Sequence, residues 1–206
     1  MKKTLILVTG GAGYIGSHVC KLLAKRGFLP VVADDLSHGH KDFVKWGPLV
    51  QTSIGNKSEM TRLIELYQPR AVMHFAAKSL VGESVEKPDL YNRVNVGGSK
   101  ALLAKMEEHK IENLVFSSTA ATYGEPKKVP ISESDAPAPK NPYGESKLAI
   151  DNMIAASGFS AISLRYFNVA GAGYDDLGDT SVADSGTAPR GDRSHDDRGR
   201  VQEVAF

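Results

Sequence analysis

A glycine-rich turn at residues 10–16 joins a short apolar run to a helical segment, and this arrangement constrains the fold more than any other feature. The run before the turn, Thr4 to Thr9, consists of strand-forming residues of the kind that a parallel sheet buries on both faces. The segment after it reads as a helix from Ser17 that stops at Gly27, with its cations near the C-terminal end. Such a unit can hold a pyrophosphate, because the turn lets the backbone approach and the free amides of the helix N-terminus face the anion.

The spacing of Gly10, Gly13 and Gly16 differs from the G-x-G-x-x-G of ordinary dinucleotide-binding proteins. The glycines alone are therefore also compatible with a tight turn that binds no ligand. The next apolar run ends at Asp34. Its separation from the turn is close to the ~20 residues expected for a carboxylate that accepts hydrogen bonds from an adenosine ribose. Because a carboxylate there would repel a 2′-phosphate, the predicted cofactor is NAD and not NADP. A solvated acid in a turn is the alternative role for Asp34.

The composition excludes several classes of protein. A chain of 206 residues suffices for one well-filled domain, and its formal net charge of +1 implies no nucleic-acid partner. Cys20 is the single cysteine, so the chain has no internal disulfide or thiolate metal cluster, no metal site is predicted, and we expect a small buried thiol. The N-terminal apolar run is too short for a signal peptide or a membrane span, so we expect a cytoplasmic protein with no membrane contact.

Strand-like runs alternate with helical segments along most of the chain. The predicted strands are residues 4–9, 30–33, 49–52, 71–75, 114–118 and 161–166, and the predicted helices are residues 17–26, 57–67, 90–109 and 141–156. Repeated βα units of this kind predict an α/β domain of the Rossmann type, a doubly wound parallel sheet with helices on both faces.

The composition changes at about Gly171. Residues 171–206 contain no lysine and few large apolar side chains, so they cannot bury enough surface to offset the entropy lost on ordering. We therefore expect a NAD-binding domain at residues 1–170, followed by an irregular or disordered tail at residues 171–206 where a substrate domain is missing. The same change suggests, as a hypothesis, a truncated or out-of-frame end.

Tyr143 and Lys147 are four residues apart, which places a phenol and an ammonium on one face of a helix. A tyrosine with an ordinary pKa of ~10 needs a decrease of roughly 3 units, or about 4 kcal/mol, to act as a base near neutral pH. The sequence offers two causes for a lowered pKa: the charge of Lys147, and a position in the first turn of a helix capped by Asn141. An exposed helix pair without chemistry is the alternative.

A second pair with this spacing, Tyr123 and Lys127, is interrupted by a glycine and a proline that break a helix, so we expect loop structure there. The first pair is favoured by the strand at residues 114–118, which leads into Thr119. In open α/β sheets ligands bind at the carboxyl ends of the strands, where Thr119 would present its hydroxyl. A turn or helix cap is the alternative role for Thr119.

Taken together, the motifs occur in the order seen in extended short-chain dehydrogenase/reductases. The segments are residues 9–16, 74–77, 81–84, 116–119, 141–147 and 165–168, which read TGGAGYIG, HFAA, VGES, FSST, NPYGESK and RYFN. The chain resembles this superfamily, the NAD-dependent epimerase/dehydratase family, over residues 1 to about 173, and within it the UDP-sugar 4-epimerases. A sugar-nucleotide dehydratase would usually carry Asp-Glu after Thr119, where this chain has Ala120 and Ala121.

The resemblance implies an isomerase that interconverts UDP-galactose and UDP-glucose through a 4-keto intermediate, with transient reduction of NAD. By the same resemblance Tyr143 takes the proton of the sugar 4-hydroxyl, Lys147 binds the nicotinamide ribose and holds the Tyr143 pKa down, and Thr119 hydrogen-bonds the 4-oxygen. Asn168 joins Thr119 and Tyr143 in binding the UDP-sugar. The implied cofactor-binding residues are Gly10, Gly13, Tyr14, Ile15, Gly16, Asp34, Asp35, Leu36, Ser37, Gly39, Ser53, Ile54, Phe75, Ala76, Ala77, Lys78, Ser79, Asn95, Tyr143, Lys147 and Phe167.

The chain departs from the family pattern in three places. Ser53 stands where many relatives have an aspartate at the adenine, and Ser79 stands where some have a lysine, with Lys78 one position early. The resemblance also fades at Gly173, before the smaller domain with which relatives hold the uridine and the sugar. Because bound sugar must be oriented and shielded from water, we expect low or absent turnover. Another nucleotide-sugar epimerase or decarboxylase, or a non-catalytic NAD-binding protein, stays open, as does a homodimer.

Overall fold

A computed structural model describes residues 3–171. The tail predicted at residues 171–206 lies outside the described residues, except for its first residue. Six parallel strands form one sheet in the order β3-β2-β1-β4-β5-β6. The strands are β1 (Leu5–Thr9), β2 (Leu29–Asp34), β3 (Leu49–Gln51), β4 (Ala71–His74), β5 (Asn113–Thr119) and β6 (Ser160–Tyr166).

The strand order reverses on either side of β1. The chain first proceeds outward from β1 through β2 to β3, and it then returns to place β4 on the other side of β1. Thr9, at the carboxyl end of β1, is thus in register with Ala33 on one side and His74 on the other. Loops diverge from this switch point and leave a crevice, which is where open α/β sheets bind their ligands.

Helices connect the strands. They are α1 (Tyr14–Lys25), α2 (Lys57–Tyr67), α3 (Val81–Glu86), α4 (Pro88–Tyr91), α5 (Gly98–Glu108) and α6 (Pro142–Ala155), with 3-10 turns at Lys41–Phe43 and Ala120–Tyr123 and a π-helical segment at Asn92–Gly97. Within residues 3–171, each helix is too short or too polar to cross a bilayer.

Two apolar clusters lie on opposite faces of the sheet. Successive residues of β1 alternate between them: Leu7 belongs to the cluster that α2, α5 and α6 cover, whereas Ile6 and Val8 belong to the cluster that α1 covers. The predicted doubly wound sheet with helices on both faces is therefore confirmed. Cys20 is 1% exposed in the second cluster, as predicted, and burial raises the pKa of its thiol to about 12.

Three helical segments differ from the predicted pattern. The first helix begins at Tyr14, three residues before the predicted start, because the glycine turn leads directly into it. The single helix predicted at residues 90–109 is wrong: Pro88 starts α4, and six π-helical residues separate it from α5. Helix α3 was not predicted, since its six residues are too few to show a 3.6-residue period.

Candidate active site

A cavity of about 650 Å³ lies at the carboxyl ends of β1, β4, β5 and β6. The glycine turn forms one wall through residues 10–16, and the loop after β4 forms a second through residues 75–80. Ser117, Thr119 and Lys147 face it from the third side. Segments far apart in the chain therefore meet at the switch point of the sheet.

The glycine turn needs two of its glycines for packing within the protein. A Cβ atom on Gly10, whose φ is +72°, would lie 2.5 Å from the Ala76 nitrogen, and one on Gly16 would lie 2.2 Å from the Gly10 oxygen. Gly13 occupies the N-cap of α1, and all three glycines line the cavity. No side chain caps this N-terminus and its first turn holds no acid, so its amides can receive an anion.

Asp34 fastens the glycine turn to the end of β2. Its Oδ2 accepts a hydrogen bond from the Ala12 amide at 3.0 Å, and its Oδ1 accepts one from the Leu36 amide at 2.9 Å. Burial raises the pKa of this carboxyl, and the two backbone hydrogen bonds oppose that rise. The side chain is 8% exposed, so it is not a solvated turn acid. Each oxygen keeps a second lone pair for another donor.

Tyr143 and Lys147 occupy successive turns at the start of α6. The predicted cap is confirmed, because the Asn141 side chain accepts a hydrogen bond from the Gly144 amide at 2.8 Å. The Lys147 ammonium, 3% exposed, donates to the Ser117 carbonyl at 2.7 Å and stands 6.0 Å from the centre of the Tyr143 ring. The ammonium thus lies between the phenol and the end of β5.

Thr119, at the end of β5, caps a turn and also lines the cavity. Its Oγ1 accepts a hydrogen bond from the Ala121 amide at 3.2 Å, which caps the following 3-10 turn, and the residue also lines the cavity. Tyr123 at the end of that turn accepts a hydrogen bond from Arg165 at 2.6 Å. This tyrosine belongs to a structural turn, as predicted.

Asn95 braces the loop after β4 from inside the π-helical segment. Its Oδ1 accepts from the Lys78 amide at 2.8 Å, and its Nδ2 donates to the Lys78 carbonyl at 2.9 Å and to Ser146 Oγ at 3.1 Å. The side chain is fully buried. Lys78 itself faces the cavity, with its ammonium 3.7 Å from the Glu83 carboxylate.

A sequence profile of the NAD dependent epimerase/dehydratase family matches residues 6–188. The chain belongs to this family. Membership agrees with the parallel sheet, the glycine turn and the Tyr143–Lys147 pair described above.

Curated relatives of this family member are named UDP-glucose 4-epimerase. The protein of that name from Rhizobium meliloti (strain 1021) is 45% identical over 179 residues, which cover 85% of this chain and 55% of that relative. The one from Streptomyces lividans is 49% identical over 174 residues, covering 81% of this chain and 52% of that relative. The chain thus spans about half the length of the curated relatives that it matches.

Solved structures in the family share the fold. The UDP-glucose 4-epimerase from Brucella ovis in complex with NAD has a TM-score of 0.81 and 48% identity, over 82% of this chain and 54% of that one. The UDP-glucose 4-epimerase from Thermotoga maritima with UDP-glucose has a TM-score of 0.75 and 36% identity, over 79% of this chain and 55% of that one.

The cavity brings together many, but not all, of the residues predicted for the site. Those that line it are Gly10, Gly13, Tyr14, Ile15, Gly16, Phe75, Ala77, Lys78, Ser79, Thr119, Lys147 and Phe167. Those outside its lining are Asp34, Asp35, Leu36, Ser37, Gly39, Ser53, Ile54, Ala76, Asn95, Tyr143 and Asn168. Some of the second group hold the turns in place: Asp35 accepts from the Ser37 amide, and Ser53 accepts from the Gly55 amide.

Other lining residues were missed by sequence reasoning. They are His40, Phe43, Leu80, Glu83, Ser117, Tyr166 and Val169, whereas His38 falls within the range from Asp34 to Gly39 that the family resemblance implies for the cofactor. Glu83, Ser117 and Tyr166 lie inside the family motifs VGES, FSST and RYFN, which could have identified them. The residues between 38 and 43 lie in the loop after β2 and follow no periodic pattern. Their position at the cavity is set by the tertiary structure and cannot be read along the chain.

The predicted net decrease in the pKa of Tyr143 is wrong for this structure. Burial raises the pKa of the phenol, and a hydrogen bond with Thr119 opposes this only in part. Lys147 is itself affected: burial lowers the pKa of its ammonium to about 8, against a raising effect of Asp151. Desolvation disfavours the charged form of both groups, and a sequence pattern does not display it.

Proposed function

We propose that this chain acts as a UDP-glucose 4-epimerase, in which the described residues bind NAD and move the proton of the sugar 4-hydroxyl. The observation that carries the proposal is the meeting of Thr119 and Lys147 in one cavity with the uncapped N-terminus of α1, with Tyr143 on the adjoining helical turn. The names of the relatives, at 45% to 49% identity, support the choice of UDP-glucose and UDP-galactose as substrates.

The residues at the glycine turn fit a dinucleotide. An uncapped helix N-terminus without an acidic first turn suits a pyrophosphate, and Asp34 at the end of β2 suits an adenosine ribose without a 2′-phosphate. Bound NAD would supply the acceptor and donor of a hydride. We propose residues 1–170 as the NAD-binding domain, with the cofactor, catalytic and substrate roles assigned to the residues named in the sequence analysis.

The proton chemistry follows from the three side chains near β5. Tyr143, as the phenolate, takes the proton of the 4-hydroxyl while that carbon becomes a carbonyl, and it returns the proton after the sugar has turned over. Thr119 donates a hydrogen bond to the 4-oxygen. The Lys147 ammonium, fixed on the Ser117 carbonyl, contributes the positive charge that favours the phenolate.

The cytoplasm is proposed as the location, because Cys20 is buried and unpaired, which suits a reducing compartment. A homodimer is a further proposal that light scattering of the purified chain would test.

NAD binding and sugar turnover test the proposal separately. The purified 206-residue chain is titrated with NAD in a calorimeter, and UDP-galactose is then added while the absorbance of reduced nicotinamide and the appearance of UDP-glucose are followed. We expect NAD binding and a weak signal, since turnover is expected to be low, and the signal should disappear in Tyr143→Phe when that variant is saturated with NAD. Binding without any Tyr143-dependent signal would favour a non-catalytic NAD-binding protein. Absence of NAD binding would refute the proposal.

A further inference from the structure

A buried ionic cluster lies one helical turn beyond Lys147. Asp151 is 7% exposed, and its Oδ2 accepts hydrogen bonds from Ser118 Oγ at 2.9 Å and from Arg165 Nε at 3.2 Å. Its Oδ1 is shielded from solvent and has no hydrogen-bond donor among the described residues. Both donors therefore bind the same oxygen of the carboxylate.

The position of the cluster follows from the geometry of α6. Tyr143, Lys147 and Asp151 are spaced at four-residue intervals, so they follow one another on one face of the helix. Ser118 and Arg165 are register partners on β5 and β6, and both bind the same oxygen of Asp151. One carboxylate thus holds the catalytic helix against the ends of two strands.

Among the charged groups around Lys147, Asp151 is the one that opposes deprotonation of the Lys147 ammonium. Burial lowers the pKa of the Lys147 ammonium to about 8, and the charge of Asp151 raises it. From β4, His74 faces the ammonium as a neutral ring whose pKa is lowered to about 3. From β5 the Phe116 ring lies 4.8 Å away, and from β6 Arg165 adds a cation bound to the same carboxylate. On α6 itself, Tyr143 stands one turn earlier.

We propose that Asp151 is a positioning residue for Lys147: it fixes α6 on β5 and β6, and its negative charge keeps the buried ammonium protonated. The inference rests on the proposed function only for the catalytic role of Lys147. The ionisation of Lys147 can be measured without NAD or sugar, so a failure of this inference is distinguishable from a failure of the proposed function.

The test is a titration of Lys147 by NMR. The 206-residue chain carries lysine labelled with ¹³C at Cε, and the Lys147 signal is assigned by its absence in Lys147→Met. We expect Asp151→Asn to lower the measured pKa of Lys147 by roughly one unit, and Asp151→Glu to restore most of it. Glu145→Gln, an exposed carboxylate on the same helix, is the matched control and should leave the titration unchanged.

A second variant predicts a shift of the opposite sign. Arg165→Met removes a neighbouring cation and leaves the charge of Asp151 to act on Lys147, so the pKa of Lys147 should rise. A general loosening of the fold would instead shift the pKa of Lys147 in the same direction in both variants. Circular dichroism of each variant monitors such loosening. The proposal is overturned if folded Asp151→Asn titrates Lys147 like the wild type. If Asp151→Asn does not fold, a fall or no change in Arg165→Met overturns it.

Discussion

His74 makes the stability of the domain depend on pH below neutrality. The ring is 1% exposed, with Nδ1 2.7 Å from Thr9 Oγ1 and Nε2 2.9 Å from Ser99 Oγ. Burial, and to a smaller degree the charge of Lys147, lowers its pKa from 6.5 to about 3. The folded protein therefore keeps this imidazole neutral in the pH range in which the same ring of the unfolded chain takes up a proton.

The sign and size of the effect follow from linkage. A folded-state pKa of about 3 lies below the ordinary ~6.5 of the unfolded chain, so the stability is fully present above pH ~6.5 and is lost as the pH falls toward 3. Between pH 7 and pH 5 the proton taken up by the unfolded state alone costs about 2 kcal/mol. With a urea dependence of about 2 kcal/mol per molar, the unfolding midpoint should decrease by about 1 M.

The assay is urea unfolding, followed by circular dichroism, of the wild type and His74→Gln at pH 7, 6 and 5. The variant should be less stable at pH 7, but its midpoint should change less between pH 7 and pH 5, because the group that binds the extra proton is gone. His40→Gln, an exposed histidine, should retain the wild-type dependence on pH. Equal dependence in the wild type and His74→Gln would refute the reasoning.

Three further predictions concern the glycine turn, the thiol and the choice of cofactor. Gly16→Ala places a Cβ 2.2 Å from the Gly10 oxygen, so NAD affinity should fall at least about tenfold by calorimetry, whereas Gly82→Ala, with open space around it, should not change it. Cys20, with a pKa raised to about 12, should react with a thiol reagent at pH 8 only on unfolding; rapid labelling of the native protein would contradict this. Asp34→Asn should raise the affinity for NADP relative to NAD roughly tenfold; an unchanged ratio of the two dissociation constants would argue against it.

The sheet could be predicted because its determinants are local. Apolar runs such as Leu5–Thr9 and Leu29–Asp34 are buried on both faces, and helices with caps such as that of Asn141 separate the strands. Local pattern does not reveal a change of helical geometry. The π-helical segment at Asn92–Gly97 contains Asn95, whose side chain forms hydrogen bonds with Lys78 in another loop.

The parts of the site whose residues lie close together in one motif could be predicted. The parts in which residues from distant segments meet could not. The glycine turn and the spacing of Tyr143 and Lys147 can be read along the chain. The cluster of Asp151 with Ser118 and Arg165 joins α6 to two strands, and it becomes visible only after the strands are in register.

The pKa of Tyr143 marks the boundary between these two kinds of information. Four-residue spacing predicts that the charge of Lys147 lies beside the phenol, and at 6.0 Å from the ring centre a unit charge is worth roughly 3 kcal/mol in a protein of intermediate dielectric. That is less than the about 4 kcal/mol needed for a base at neutral pH, and burial adds a cost because it raises the pKa of the phenol. The ammonium also donates one of its hydrogen bonds to the Ser117 carbonyl. In the proposed function, formation of the phenolate would therefore need the helix N-terminus together with further positive charge or a further donor in the cavity, so that the bound ligand would complete the base.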